Sequence, residues 1–308
     1  MRLASYGTFG AERAGIVDND RIVDLEAAMQ AAGLSRPVND LRLLLEQEDW
    51  KELLVRTWSV RDGARSVPLG QVRLGAPVPV PRKLVIAGAN SYSHVAEATA
   101  VLKDALAPRQ PMILAKATSS ICGPFDDIVH PPETTKLDYE VEMGVVIGRT
   151  GRRISEAEVR DHVAGFCTIN EVSARDIQLA EHEANPFFRV HFMGKSYDSF
   201  NPMGPCLVTV DEFEWGRPLR LKTTVNGVIR QDSDTSDLVF GVAQLVSYIS
   251  QAMTLYPGDV IATGSPAGVA HFMKPPQYLK PGDVVRCEVE GVGAIENRVV
   301  DESTSRHV

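Results

Sequence analysis

The segment LDYEVEMGVVIG carries a carboxylate at every second position, and this pattern constrains the chain more than any other feature. Alternate side chains of a β-strand point to the same face, so Asp138, Glu140 and Glu142 are predicted to project together. The residues between and beyond them suit a buried core: Tyr139, Val141 and Met143. Several negative charges held close together are costly unless a cation or a proton neutralises them.

Two interpretations of this segment remain open from the spacing alone. Alternating acids are typical of the solvated face of an antiparallel sheet. Carboxylate oxygens on a rigid strand are also the ligands that Mg2+, Mn2+ and Ca2+ prefer. The apolar run GVVIG that follows favours a buried strand, where unpaired carboxylates would be costly. The segment is therefore interpreted as half of a divalent-metal site.

Size and charge limit the classes of protein to which this chain can belong. With 308 residues it can form one large domain or two modest ones, with a core that needs no disulfides. Its net charge of −8 argues against a nucleic-acid partner, because such proteins need a basic surface. An anionic substrate would have to meet a locally positive pocket in an acidic molecule.

Cysteine usage and hydropathy predict the compartment. The four cysteines are far apart and form no CxxC pair, so we expect small buried hydrophobes in a reducing environment: Cys122, Cys167, Cys206 and Cys287. The N-terminal segment lacks the apolar stretch of a secretory signal. No apolar stretch approaches the roughly 20 residues that span a bilayer. These features predict a cytoplasmic protein with no membrane partner.

Proline and glycine residues mark the boundaries between segments of the chain. Residues 1–75 are predicted to form a small separate unit, and the proline-rich residues 76–83 an extended linker. Short strands dominate from Leu84 onward. Hairpins are predicted around Asn226-Gly227 and over residues 284–300. Residues 235–253 predict an amphipathic helix that serves packing only.

A second polar cluster follows the buried strand predicted over residues 166–169. Glu171 lies just after its end, and Ser173 is predicted to cap the next helix, so Glu171 occupies a corner from which a side chain can enter a pocket. Arg175 and Gln178 are three residues apart and share a helix face. An acid, a guanidinium and an amide near a helix N-terminus suit an anionic, oxygen-rich ligand. An acidic first turn with polar surface residues is equally compatible with this segment.

Four segments, in this order, resemble those of the fumarylacetoacetate hydrolase family: LDYEVEMGVVIG, NEVSARDIQ, GKSYDSFNPMGP and LYPGDVIATGSPAGV. The resemblance covers about residues 84–300. It implies an α+β fold, β-rich and mixed around a β-roll, with a small N-terminal domain at residues 1–75 and the catalytic domain at residues 76–308. It also implies a homodimer, one divalent cation (Mg2+ or Mn2+, with Ca2+ as an alternative) and a small anionic 2-oxo acid as substrate.

The resemblance implies roles for individual residues. Glu140 and Glu142 resemble the first two metal ligands, and Glu171 occupies the third position, where the family usually has Asp. Lys195 resembles the family's active-site lysine, which would stabilise an enolate. Asp138 has no counterpart role and is expected behind the ligands or at the surface. The residues that match the polar lining of the pocket are Arg175, Gln178 and Ser265, the last in place of the family's common Thr.

The segment GANSYSHVAEA resembles the entry to the family's lid and contains a predicted catalytic pair. His94 and Glu97 are three residues apart and share a helix face. A carboxylate beside an imidazole raises its basicity and fixes its tautomer, so the pair could activate water. Ser91 stands where the family has Tyr. Such pairs are also common on helix surfaces without any role, but the neighbouring motifs favour catalysis here.

Together these residues predict a metal-dependent hydrolase that cleaves a C–C bond in an acylpyruvate or fumarylpyruvate-type 2,4-dioxo acid. His94 would activate water, and the leaving enolate would be stabilised by the cation and Lys195. Oxaloacetate decarboxylation or tautomerisation, hydration or isomerisation of a 2-oxo diacid, and non-catalytic binding of a 2-oxo acid stay as alternatives. Arg189 and His191 are expected to meet a distal carboxylate of the substrate.

Overall fold

The computed structural model describes residues 1–34, 38–102, 107–181, 185 and 191–304, and within them the chain is a strand-rich α+β protein. The N-terminal strands are β1 (Arg2–Tyr6), β2 (Arg13–Asp18), β3 (Arg21–Asp24), β4 (Ser66–Pro68) and β5 (Leu74–Gly75). The later strands are β6 (Leu84–Gly88), β7 (Met112–Ala115), β8 (Ile121–Cys122), β9 (Ile128–His130), β10 (Leu137–Asp138), β11 (Val141–Ile147), β12 (Val163–Asn170), β13 (Ser173–Ala174), β14 (Asn201–Thr209), β15 (Arg220–Val225), β16 (Val228–Asp234), β17 (Val260–Ala262), β18 (Val284–Val289) and β19 (Gly293–Asp301). The helices are α1 (Leu25–Ala31), α2 (Leu41–Leu45), α3 (Trp50–Ser59), α4 (Tyr92–Leu102), α5 (Val159–His162), α6 (Arg175–Gln178), α7 (His191–Lys195) and α8 (Val242–Ala252).

A twelve-stranded sheet forms the backbone of the molecule. Ten of its strands follow the order β4-β3-β2-β1-β14-β12-β11-β17-β6-β7, while β5 pairs with β1 and β8 pairs with β14. Strand β11 lies at its centre, antiparallel to β12 and β17, and every one of its residues is buried. A central strand covered on both faces reads as a continuous apolar run, which explains the sequence GVVIG.

A second sheet covers one face of the first. Its order is β16-β15-β18-β19-β9, and the residues between the two sheets form one apolar cluster. Tyr139, Val141 and Met143 all belong to this cluster, so the predicted apolar face of the acidic segment is confirmed. The acids therefore project to the opposite side. Both predicted hairpins are also confirmed: β15–β16 turns through Asn226 and Gly227, and β18–β19 forms the other.

Helices α1, α2 and α3 contribute to a second apolar cluster, which also contains side chains of the central strands. Strand β1 pairs with both β2 and β14, so residues 1–75 share the large sheet with the rest of the chain. Within the predicted linker, Ala76 and Val78 are buried in this second cluster. A domain boundary near residue 75 stays a prediction.

The structure also tests the predictions for helix α8 and for the cysteines. The predicted helix over 235–253 is wrong at its start: Thr235–Asp237 form a short 3-10 helix, and helix α8 begins only at Val242. Between them the Asn90 side chain holds Phe240, because its Nδ2 donates to Phe240 O and its Oδ1 accepts from Phe240 N–H. All four cysteines are buried free thiols. Among the described residues, no helix has both the length and the apolar character needed to cross a membrane.

Candidate metal centre

The acidic segment does not form one uninterrupted strand. Strand β10 ends at Asp138 and pairs with β13, whereas β11 begins at Val141 and pairs with β12. Between them the main chain of Glu140 donates to the Asn170 side chain and accepts from Glu171 N–H at 2.8 Å. The chain changes its pairing partner here, and this change brings the end of β12 against Glu140.

Glu140, Glu142 and Glu171 converge as the sequence predicts. Each offers a carboxylate oxygen within 4.8 Å of the others, and the three residues are 4%, 1% and 2% exposed. Glu171 lies directly after β12, at the corner expected for it. Its Oε1 atom is buried and has no hydrogen-bond partner among the residues that the structure describes. An unpartnered buried carboxylate oxygen is available to bind a cation.

The three carboxylates differ in their tendency to hold a proton. Burial and the charges of Glu171 and Glu140 raise the pKa of Glu142 well above its usual value. Burial also raises the pKa of Glu171, although Lys195 opposes this effect. Burial alone would raise the pKa of Glu140 too, but the guanidinium of Arg175 and the ammonium of Lys195 hold it well below its usual value.

Two buried, positively charged side chains, Lys195 and Arg175, lie next to the glutamates. Lys195 Nζ donates to Glu140 Oε2 and to Glu171 Oε2, both at 2.7 Å. Arg175 Nη2 donates to Glu140 Oε1 at 2.6 Å. Helix α7 can bring Lys195 this close because Gly194 packs on helix α6, where a Cβ would lie 2.5 Å from the backbone nitrogen of Gln178.

Asp138 lies behind the cluster, which is the first of the two positions expected for it. It is fully buried and accepts from Arg175 Nε at 2.8 Å. Backbone N–H groups of Tyr139, Ala270 and His271 also donate to its carboxylate. Four donors compensate for the loss of water around this charge, so the aspartate can anchor the arginine that contacts Glu140.

The residues after Glu171 differ from the prediction in their local structure. Ser173 lies in β13 and donates to Glu171 O, so it does not cap a helix; Ala174 occupies the cap position of α6 without a side-chain hydrogen bond. Pairing with β10 holds this serine in extended conformation. Gln178 accepts from Arg175 Nη1 at 3.0 Å and contacts His191 Nδ1 at 3.1 Å. Arg189, predicted to select substrate, lies outside the described residues.

The His94–Glu97 pair forms on helix α4. His94 Nδ1 lies 2.8 Å from Glu97 Oε1, and Glu97 Oε2 accepts from Gly268 N–H at 2.9 Å. An ionised carboxylate can only accept hydrogen bonds, so Nδ1 carries the proton and Nε2 is the ring atom left for proton transfer. The imidazole lies close enough to contribute to the electrostatic environment of Glu140.

The loop after β17 joins these parts. Gly264 N–H donates to Glu142 Oε2 at 2.7 Å, and a Cβ at Gly264 would lie 2.8 Å from the Cβ of Asn90, just before the His94 helix. Its φ of +101° also requires glycine. Next to it, Ser265 Oγ accepts from Gln231 Nε2 at 2.8 Å and keeps its own proton for donation.

Sequence reasoning missed Lys116, a third buried cation. Its Nζ donates to the carbonyls of Val172 and Phe200 at 3.2 and 2.6 Å. The bond to Val172 links Lys116 to the backbone directly after Glu171. Burial lowers the pKa of Lys116 to about 8, although Glu171 opposes the shift. The only sequence signal is a lysine directly after an apolar strand, a weak indication of a buried charge.

The donor set suits a hard divalent cation. Three convergent carboxylates without a thiol or imidazole among them favour Mg2+, Mn2+ or Ca2+ over zinc. With all groups ionised, four buried carboxylates face three buried cations, so a doubly charged ion would change the local charge from net negative to net positive; the cations are Lys116, Arg175 and Lys195. The centre would then attract an anionic ligand.

Comparison with known proteins gives a family match over most of the chain. The family model described as fumarylacetoacetate (FAA) hydrolase C-terminal matches residues 83–300. Oxaloacetate tautomerase Fahd2a, mitochondrial, from Rattus norvegicus is 43% identical over 234 residues, which are 76% of this chain and 71% of that protein.

Solved structures are similar over nearly the whole chain. Fumarylacetoacetate hydrolase from the psychrophile Exiguobacterium antarcticum has a TM-score of 0.79 and 34% identity, covering 98% of this chain and all of that one. Maleylpyruvate hydrolase from Sphingobium sp. SYK-6, solved with manganese(II) and pyruvate, has a TM-score of 0.76 and 29% identity, covering 98% of this chain and 99% of that one. The expected α+β fold is thus confirmed.

Proposed function

From the premise that the chain belongs to the fumarylacetoacetate hydrolase family, we propose that it is a divalent-metal-dependent enzyme acting on a small 2-oxo acid, with keto–enol tautomerisation of oxaloacetate as its leading reaction. The observation that carries the proposal is the convergence of Glu140, Glu142 and Glu171 beside the buried cations Lys195 and Arg175. When bound by the glutamates, Mg2+ or Mn2+ would supply Lewis-acid polarisation of a 2-oxo group.

Lys195 is suited to stabilise negative charge on a substrate oxygen. An ammonium has three protons, and Glu140 and Glu171 accept two of them, which leaves one N–H free to donate. A preorganised donor in a water-poor site stabilises an enolate oxygen more strongly than water does. Gln178 and Ser265 have amide and hydroxyl groups with which to orient the substrate carboxylates.

His94 is the candidate for proton transfer. With Nδ1 held by Glu97, its Nε2 would take a proton from the carbon next to the 2-oxo group and return it to the enolate oxygen. One C–H bond breaks and one O–H bond forms, so the reaction consumes no water and needs no redox partner. The reverse sequence converts the enol to the ketone.

C–C hydrolysis is the second candidate, and the same pair of residues favours it. His94 would then take a proton from a water molecule that attacks the distal carbonyl of a 2,4-dioxo acid, and the enolate fragment would leave beside Lys195. The structural similarity to a maleylpyruvate hydrolase bound to manganese(II) and pyruvate supports this alternative. We also propose a homodimer. The cytoplasmic location stays a prediction, since the rat relative is named as mitochondrial.

A substrate panel tests the proposal. Purified protein with Mn2+ is given enol oxaloacetate, acylpyruvates and maleylpyruvate, and the loss of enol absorbance is followed. We expect turnover of oxaloacetate enol that His94→Ala reduces by roughly 10²–10⁴-fold, the usual contribution of a positioned acid–base group. His162→Ala is the matched control, because this partly exposed histidine hydrogen-bonds to the Arg149 carbonyl, beyond the end of β11 that is far from the glutamates. Absence of turnover on every 2-oxo acid would contradict the proposal.

A further inference from the structure

The helix that carries the candidate catalytic pair is held mainly by polar contacts. Among the described side chains of α4, only Val95 is buried, and Tyr92 is 56% exposed. A helix with so little apolar burial can open locally at low cost in free energy. The position of His94 relative to the glutamates therefore depends on what fixes the first turn of α4.

Asp237, which is distant in sequence, holds the first turn of α4 in place. Its Oδ2 accepts from Ser91 Oγ at 2.6 Å and from Ser93 Oγ at 2.5 Å, and its Oδ1 accepts from Ser93 N–H at 3.1 Å. Ser91 Oγ in turn lies 3.2 Å from His94 N–H, one of the orphan donors of the first turn. One carboxylate thus holds three donors at the start of the helix.

Ser93 and Glu97 connect the helix to the loop beside the glutamates. Ser93 Oγ accepts from Ala267 N–H at 3.0 Å, and Glu97 accepts from the next residue, Gly268. Asn90 donates to the carbonyls of Phe240 and Thr263, which joins the entry of α4 to the segment after Asp237. These bonds place one side of α4 against the Asp237 segment and the other against the loop that contacts Glu142.

We propose that Asp237 is a positioning residue for the reaction: its carboxylate, through Ser91 and Ser93, holds α4 so that His94 and Glu97 face the substrate at the glutamate cluster. This inference rests on the proposed function for the role of His94, but not for the anchoring itself. Ser91 occupies the position where the family has Tyr. Its hydroxyl donates a hydrogen bond to Asp237.

The test compares Asp237→Asn with Asp237→Glu and with a control in the same loop. Asn keeps the size of the side chain but loses one acceptor oxygen and the charge that favours a helix N-terminus. Glu restores both with a longer arm. Asp234→Asn is the matched control, because Asp234 caps only the turn at Ser236 and has no contact with α4 among the described residues.

Four quantities are measured: amide hydrogen exchange of residues 92–102, kcat, KM, and Mn2+ affinity from the free-ion signal in electron paramagnetic resonance. For Asp237→Asn we expect at least tenfold faster exchange in α4 and a loss of roughly 10–100-fold in kcat, because small misplacements of a catalytic group have effects of this size. KM and Mn2+ affinity should stay within twofold, and Asp237→Glu should recover part of kcat. Asp234→Asn should match the wild type throughout.

Unchanged hydrogen exchange in α4 of the Asp237→Asn protein would overturn the positioning role. A loss of Mn2+ affinity parallel to the loss of kcat would also overturn it, because that result indicates general disruption of the site. If the wild-type protein turns over no 2-oxo acid, the proposed function fails while the exchange of α4 still decides whether Asp237 anchors the helix. Faster exchange confined to α4 supports the anchor in that case, and equal exchange rejects it.

Discussion

Glu142 is the member of the cluster whose charge is least compensated. Lys195 and Arg175 contact Glu140, and Lys195 also contacts Glu171, whereas the hydrogen bond that Glu142 accepts comes from Gly264 N–H. Burial and its two acidic neighbours raise its pKa, so this carboxyl holds a proton more readily than an ordinary glutamate. A metal ion competes with protons for this carboxylate, which makes binding pH-dependent.

We predict that Mn2+ stabilises the protein more strongly as the pH rises from about 5 to about 8. The raised pKa values of Glu142 and Glu171 mean that the folded, metal-free protein binds more protons than the unfolded chain above the usual range of a glutamate. Its stability therefore falls as the pH rises through the folded-state pKa values. Mn2+ competes with those protons, so its apparent Kd falls as the pH rises, and at a hundred times that Kd the ion stabilises the protein by about 2.7 kcal/mol in total. Melting temperatures with Mn2+ and with a chelator, compared across this range, measure the effect.

The variant Glu142→Gln separates the two contributions to that pH dependence. Because Gln cannot ionise, the metal-free variant should melt above the wild type at pH 8, its stability should depend less on pH, and Mn2+ should no longer raise its melting temperature. Glu158→Gln is the control, since Glu158 is an exposed residue that contacts Ser155 at the surface. A Glu142→Gln protein that binds Mn2+ as tightly as the wild type would contradict the assignment of this ligand.

At the scale of elements, Arg175 connects three pieces of backbone. It lies on α6, donates to Asp138 at the end of β10, and donates to Glu140 just before β11. These carboxylates are almost fully buried, so they depend on the guanidinium for compensation of their charge. Breaking a buried ion pair by removing one partner is strongly destabilising, because the other charge is left uncompensated.

We therefore predict that Arg175→Met lowers the free energy of unfolding by roughly 3–5 kcal/mol. Arg175→Lys should recover only part of this loss, because a single ammonium cannot place two separate donors on Asp138 and Glu140. Urea unfolding followed by circular dichroism measures both. Arg220→Met is the control, since its ion pair with Asp232 is exposed and screened by water, so its loss should change the stability little. A loss at Arg175 no larger than that at Arg220 would show that the buried charges have another source of compensation.

Local patterns predicted those elements that short-range geometry determines. The period of two along residues 138–142 placed the carboxylates on one side, and Asn226-Gly227 marked its hairpin. The wrong cap at Ser173 has a long-range cause, the pairing of β13 with β10, which no local signal shows. The contacts of Lys116 and Asp237 could not be predicted for the same reason: each residue hydrogen-bonds to a segment more than 50 residues away in sequence.

At the scale of the molecule, residues 1–75 complete the structure that supports the metal centre. Strand β1 pairs with β14, which pairs with β12, the strand that ends just before Glu171. Helices α1–α3 belong to the same apolar cluster as side chains of the central strands, among them Val146, Ile169, Leu207 and Val260. The N-terminal part is thus continuous with the sheet that presents the glutamates.

We predict that a protein lacking residues 1–75 does not fold on its own. Each buried aliphatic side chain stabilises the fold by roughly 1.5–3 kcal/mol, so uncovering four of them costs about as much as the 5–15 kcal/mol that stabilises a typical protein. Residues 76–308 should aggregate or bind a hydrophobic dye without a cooperative melting transition. The control is the full chain with a protease site inserted at Val80, which is 68% exposed: after cleavage, the pairing of β1 with β14 should keep the two pieces together as one particle that still binds Mn2+. A soluble, cooperatively unfolding fragment 76–308 would instead establish two independent domains, with the metal centre supported entirely by the second.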